Sequence, residues 1–253
     1  MSPPTLYSSP YLSLTPEPLT RDSFAPFGTA IIPPLPRTVT RAPNPLSSHP
    51  KHSLVPEPVA ANQLSALKYS PISPLLDNYT GKCPSGKASE ARMTMFSCFP
   101  RQLRTSTTTL GGKEAALFDV TILERHPYTT QTFSPLALSP DEETFYLVIV
   151  APTLTGQTAT AKTDSGEEVT IRDPPDLSKI KVFKARGDQA VTYGAGTWHA
   201  PMVVVGTRRV DFVVVQFVNG VGEEDCQEVR FPEGLVVQVG SSDGEKGAVK
   251  SKL

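Results

Sequence analysis

From residue 91 onward, apolar residues fall in short runs broken by polar punctuation. ARMTMFSCF (91–99), ALFDVTILE (116–124), TFYLVIVA (144–151), IKVFKA (180–185), QAVTY (189–193), MVVVG (202–206) and VDFVVVQFV (210–218) are rich in β-branched and aromatic residues, with Gly, Pro or Ser clusters between them. Runs of this length and make-up predict β-strands. Helical periodicity is nearly absent. Helices are predicted only over PVAANQLSALKY (58–69) and near Arg21 to Phe27, where Thr20 or Asp22 can cap the first turn. Seven or more strands at this spacing predict an all-β architecture, a sandwich or a closed jelly-roll barrel with a few short helices and long loops.

The segment before residue 60 reads differently. Pro33, Pro34, Pro36, Pro43, Pro45, Pro50, Pro56 and Pro58 interrupt residues 33 to 58, and no helix or central strand survives that density. This stretch is expected to be a surface wrap, with His49 and His52 solvated. Two polar stretches, GKCPSGKASE (81–90) and TGQTATAKTDSGEEVTIRDPPD (155–176), read as insertions at the rim. The expected organisation is a flexible segment 1–20, one catalytic domain over 21–240, and a flexible tail 241–253. That tail ends Ser251-Lys252-Leu253, which reads as a peroxisomal address recognised by an import receptor.

Composition narrows the function classes. The 253 residues carry 24 basic and 25 acidic side chains, a balance that argues against a nucleic-acid or polyanion binder. No run of 18 apolar residues suggests a membrane span, and the N-terminal MSPPTLYSSPYLSLTP has neither a basic nor an apolar region of a secretory signal. Cys83, Cys98 and Cys226 have no metal-type spacing and read as reduced intracellular thiols, two of them core filler.

Period-two alternation brings chemistry into view. In DVTILERHP, Val120, Ile122, Glu124 and His126 point one way while Thr121, Leu123 and Arg125 point the other. Glu124 and His126 then continue an apolar, inward-facing row. A carboxylate and an imidazole there must be paired, metal-bound or catalytic, because bare burial of charge is costly. The spacing Glu124-x-His126-x4-Gln131 resembles the first cupin motif, and Gly196-x2-His199 resembles the second. On that likeness Glu124, His126, Gln131 and His199 converge and can hold a divalent ion, although a metal is not demanded. His199 enters opposite His126 through a glycine turn that also carries Trp198, the only tryptophan. Arg101 shares the parity of Met95 and Phe99 and is suited to bidentate capture of a small carboxylate at the cavity rim. Tyr193 and Gln216 are further polar candidates for the same cavity.

TILERHPYTTQTFSPL (121–136), VTYGAGTWHAPM (191–202) and VDFVVVQFVNGVGEEDCQEV (210–229) resemble the signature stretches of the ureidoglycolate lyase family, as do RDSFAPFGTAI (21–31) and CFPRQL. The likenesses recur in order from about residue 20 to residue 230. The proline-rich wrap and the insertions depart from the compact bacterial form and resemble a fungal-type elaboration. The family's second His after Trp is Ala200 here. The resemblance implies a cupin fold, a homodimer, and cleavage of (S)-ureidoglycolate to glyoxylate and urea. It implies proton transfer or metal holding by Glu124, His126 and His199, carboxylate binding by Arg101, and orientation of the ureido group by Gln131 and Tyr193; Trp198 and Gln216 are expected as further substrate contacts in the same cavity. Two alternatives stand beside it: an amidohydrolase releasing ammonia from the same substrate, and a non-enzymatic cupin that binds a small acid or sugar.

Overall fold

The computed structural model describes residues 2–6, 11–43, 46–106, 115–232 and 234–241. It is all-β, with two four-residue helices, Arg21–Phe24 and Gly222–Asp225, among the described residues. The first starts where expected: the Thr20 hydroxyl accepts from the Ser23 N–H and Ser23 reaches back, forming a capping box.

Three layers build the molecule. The middle sheet is seven-stranded and runs Gln227–Arg230, Ile122–Arg125, Trp198–His199, Phe145–Ala151, Lys181–Ala185 and Glu17–Pro18, with Val203–Val205 also paired to Phe145–Ala151. A five-stranded front sheet runs Gly28–Ile31, Ala190–Tyr193, Gln131–Leu136, Val210–Val218 and Glu90–Cys98. The back sheet runs Leu12–Leu14, Leu235–Ser241, Ala115–Asp119 and Arg104–Thr105. These are stacked open sheets, cupin-like in content, in place of one closed barrel. One core, including Phe133, Tyr146, Val148, Phe183, Phe212 and Val214, fills the front interface. A second, including Leu123, Leu147, Ile149, Trp198, Leu235 and Val237, fills the back. The middle sheet is therefore dry on both faces, which is why all seven residues of Phe145–Ala151 are buried and why that stretch reads as a continuous apolar run.

Several expectations change. The run 116–124 is two strands, because at Val120 and Thr121 the chain crosses from the back sheet to the middle one, bonding Leu235 and then Phe231. Residues 58–69 form a hairpin, Val59–Ala61 with Ala66–Lys68, around a turn in which Asn62, Gln63 and Leu64 have positive φ. Leu64 and Val59 are exposed, so a helix there would have no apolar face to bury, and its propensity alone does not hold it. The segment 1–20 is tied down where described: Thr5 bridges Lys162 and Arg230, Leu12–Leu14 pairs with Leu235–Val237, and Glu17–Pro18 pairs with Phe183–Lys184. Parallel pairing and burial of Leu6 and Leu19 supply what the sequence pattern of a proline-rich terminus hides.

The wrap also differs in one detail. His49 is buried, with Nε2 2.6 Å from the Tyr69 hydroxyl and Nδ1 2.7 Å from the Pro50 carbonyl. His52 stays half-exposed beside Asp22. The 155–176 stretch is a hairpin, Thr158–Lys162 with Glu168–Arg172, laid on the back core through Ala161. Cys83, Cys98 and Cys226 are free thiols. No described helix is long and apolar enough to cross a membrane. Ser251, Lys252 and Leu253 lie outside the described residues.

Candidate active site

A tight turn delivers His199. Gly196 adopts φ 82°, a left-handed conformation that favours glycine, and the Thr197 N–H donates to the Gly194 carbonyl at 3.0 Å. The Gly196 N–H also donates to the His126 carbonyl at 2.8 Å, which ties the turn to the neighbouring strand. His199 then lies directly across from Glu124 in the ladder. Glu124 and His126, two residues apart, share one face, so both imidazoles and the carboxylate meet between the front and middle sheets. The two rings lie 5.5 Å apart, and His199 Nε2 is 3.4 Å from a Glu124 oxygen.

Hydrogen bonds at the far side of each ring fix its proton. His126 Nδ1 faces the Asp225 carbonyl at 2.6 Å and His199 Nδ1 faces the Thr197 carbonyl at 3.0 Å. A carbonyl only accepts, so each Nδ1 carries a hydrogen and each ring turns its Nε2 inward. Both Nε2 atoms are buried without a hydrogen-bond partner, and so is Gln131 Oε1. Gln131 is held by its amide nitrogen, which donates to Gln216 Oε1 at 2.6 Å. Tyr193 stacks on His199 with centroids 3.9 Å apart and planes at 12°. The pocket thus turns a carboxylate, two ring nitrogens and an amide oxygen toward one another. That is an arrangement needing a proton, a cation or a substrate hydroxyl.

Electrostatics agree with that reading. Burial pushes the Glu124 carboxyl up, but the neighbouring His199 imidazole, and after it His126, outweigh that and hold it below the ordinary carboxylate value. Burial, with His199 next, holds His126 below the usual imidazole value, so the ring stays neutral. Burial lifts the Tyr193 phenol well above its normal range, with Tyr146 and Glu124 adding to it. The ligand atoms of Glu124, His126 and His199 all lie within 4.8 Å of one another, and two imidazoles with one carboxylate suit a divalent first-row metal.

A cavity of about 430 Å³ opens beside this cluster, lined by Phe96, Cys98, Arg101, Glu124, Phe133 and Met202 among others. Arg101 is exposed at its rim, the position its parity suggested. Gln131, Tyr193 and Gln216 also join the site. Trp198 does not. Alternation turns it into the back core, 1% exposed, with its indole N–H donating to the Asp173 carbonyl at 3.0 Å and the Arg125 guanidinium 4.9 Å over its ring. Arg125 and Leu123, expected to face outward, are buried on that same back face because a third layer covers it.

Sequence reasoning missed four neighbours. Glu228 pairs directly with Glu124, and its carboxyl is raised by burial, by Glu124 and by Glu223. Cys226 shares a cluster with both glutamates, and burial first, then Glu124, pushes its thiol up to about 12. Arg92 lies opposite Gln216 in the front sheet. The Asp225 carbonyl orients His126. The strand Gln227–Arg230 that carries Glu228 is short and of mixed polarity, a weak signal; only the register places it here.

The family model described as ureidoglycolate lyase matches residues 11–238. The chain is 33% identical over 224 residues to the ureidoglycolate lyase of Saccharomyces cerevisiae, covering 87% of this chain and 95% of that protein. It is 33% identical over 209 residues to the ureidoglycolate lyase of Schizosaccharomyces pombe, covering 83% and 86%. A Burkholderia mallei ureidoglycolate lyase is 36% identical over 118 residues, covering 47% and 54%.

Proposed function

We propose, since the chain belongs to the ureidoglycolate lyase family, that the Glu124–His126–His199 cluster cleaves (S)-ureidoglycolate to glyoxylate and urea. The substrate carries a hydroxyl, a ureido nitrogen and a carboxylate on one carbon. Collapse transfers the hydroxyl proton to a base, breaks the carbon–nitrogen bond, and returns a proton to the departing urea nitrogen. No redox change is involved. The observation that carries this reading is the convergence of three buried or half-buried acceptors beside an open cavity. A hydroxyl entering there meets groups able to take its proton. Positioned acid–base groups contribute about 10²- to 10⁴-fold, and fixing a small substrate adds to that. Arg101 at the rim takes the carboxylate. Gln131, braced by Gln216, orients the ureido group, and Tyr193 supports the His199 ring.

The same orphaned acceptors fit a divalent cation, with His126, His199 and Glu124 as ligands and the Gln131 oxygen beside them. Such an ion, when bound, polarises a hydroxyl oxygen and lowers its pKa. A coupled urea and glyoxylate assay on chelator-stripped and metal-restored protein tests both parts. Urea with glyoxylate is expected, with metal restoring lost turnover. Ammonia in place of urea would point to an amidohydrolase, and no product at all to a small-acid binder.

Two assignments complete the reading. The strand Glu90–Cys98 is a sheet edge with Met93, Met95 and Phe96 exposed, and Phe99 follows it. Such an edge needs cover, and a second copy of the chain supplies it; light scattering of wild type against Met95→Glu should read dimer and monomer. The Ser251-Lys252-Leu253 tripeptide supports delivery to peroxisomes, and deleting it should disperse a fluorescent fusion that otherwise co-localises with a peroxisomal marker.

A further inference from the structure

One hydrogen-bond chain leads away from the cluster into a part of the molecule that the reaction has not yet used. His126 Nδ1 donates to the main-chain carbonyl of Asp225, whose position is set by its own side chain. One Asp225 carboxylate oxygen accepts from the Tyr79 hydroxyl at 2.7 Å and from the Asn219 N–H at 2.8 Å, and the other accepts from the Gly220 N–H at 2.8 Å. The Asp225 N–H closes the short helical turn on Val221 at 2.8 Å. Tyr79 is fully buried and packs against Tyr128, centroids 5.4 Å apart, two residues from His126. So one carboxylate clamps a turn whose carbonyl is the only acceptor described for the His126 Nδ1–H.

A ring nitrogen presents its lone pair inward only while its other nitrogen keeps the hydrogen, and that depends on a fixed acceptor behind it. We propose that Asp225, clamped by Tyr79, is the positioning residue for His126, holding the Nδ1–H tautomer and the ring rotation that aim Nε2 at Glu124 and His199. The sequence stretch ahead of the 81–90 insertion thereby acquires a role through Tyr79. A parallel branch from the insertion itself, Ser85 to Glu224 at 2.6 and 2.7 Å and Asn219 to Glu224 at 2.6 Å, braces the same turn without bonding Asp225.

The effect on turnover rests on the proposed lyase reading, but the tautomer can be read without substrate. Long-range ¹H–¹⁵N correlations on the full ¹⁵N-labelled chain, which has four histidines, report which ring nitrogen of His126 is protonated. Wild type should show Nδ1–H. Tyr79→Phe, which keeps the ring and deletes the donor, and Asp225→Asn, which misplaces a donor against the Asn219 and Gly220 N–H groups, should each mix in the Nε2–H form. Both should lower kcat on the order of 10-fold, as outer supports of a site residue do, with KM little changed. Ser85→Ala should leave tautomer and kcat as they are. Folded Tyr79→Phe and Asp225→Asn proteins with the wild-type tautomer would overturn the proposal. So would an equal shift in Ser85→Ala, which would mean general loosening of the turn. A shifted tautomer with undiminished turnover would leave the positioning role standing and refute the use of His126 in the reaction.

Discussion

Trp198→Phe separates a structural from a substrate-binding role for the tryptophan beside His199. The indole lies in the back core, 1% exposed, so the substitution removes three things there. The first is the N–H donated to the Asp173 carbonyl at 3.0 Å, worth about 1 kcal/mol. That carbonyl still accepts from Arg125 Nη1 at 3.0 Å, so no orphan penalty is added. The second is part of the cation–π contact with Arg125, 4.9 Å from the ring, worth roughly 0.5 kcal/mol of the larger figure for a full contact. The third is the void left by the smaller ring, about 1–2 kcal/mol as a fraction of the 3–5 kcal/mol typical of Trp→Ala. Together these predict a loss of about 2–4 kcal/mol, or a Tm lower by very roughly 4–16 °C for a chain of this size. Differential scanning calorimetry and steady-state kinetics on the same preparation decide the matter. Stability should fall while KM for ureidoglycolate at a permissive temperature stays put. An unchanged Tm with a KM raised tenfold would place the indole at the substrate and refute the layer assignment.

His126→Ala and His199→Ala should each lower kcat by about 10²- to 10⁴-fold while circular dichroism stays native; near-normal turnover in both would dismiss the cluster as the reacting site. Arg101→Gln should raise KM on the order of 10- to 100-fold, the value of a charged hydrogen-bond pair to a carboxylate, with kcat moving less. A KM unaffected by that change would shift carboxylate binding to another cation, and Arg92 beside Gln216 is then the next to mutate. The His126 imidazole sits below its ordinary value of 6.5 because of burial and then His199. A depressed value means the unfolded chain takes up the proton first, so this contribution to stability is complete above pH 6.5 and is lost as pH falls from there through the folded-state value. Urea denaturation as a function of pH should show that loss in wild type and a smaller slope in His126→Gln.

The sequence by itself determined the strand content, the parity that joins Glu124 to His126, and the turn glycine before His199. Each is a local property: β-branched runs, a two-residue side-chain repeat, and one backbone conformation that glycine tolerates best. It also carried the family likeness and, through parity and motif spacing, Arg101, Gln131 and Gln216. What it did not carry was the number of layers. A strand pattern distinguishes its two faces only when one of them meets water, and here the back sheet and the 155–176 hairpin dry the second face as well. That is why Leu123, Arg125 and Trp198 looked outward or functional and are core. Register was equally hidden. Glu228 faces Glu124, and Arg92 faces Gln216, only because particular strands pair at particular offsets. The Asp225 carbonyl reaches His126 across 99 residues of chain. Side-chain chemistry is written residue by residue, but which groups share a cavity is settled by burial and pairing between distant segments, and those exist only once the chain has folded.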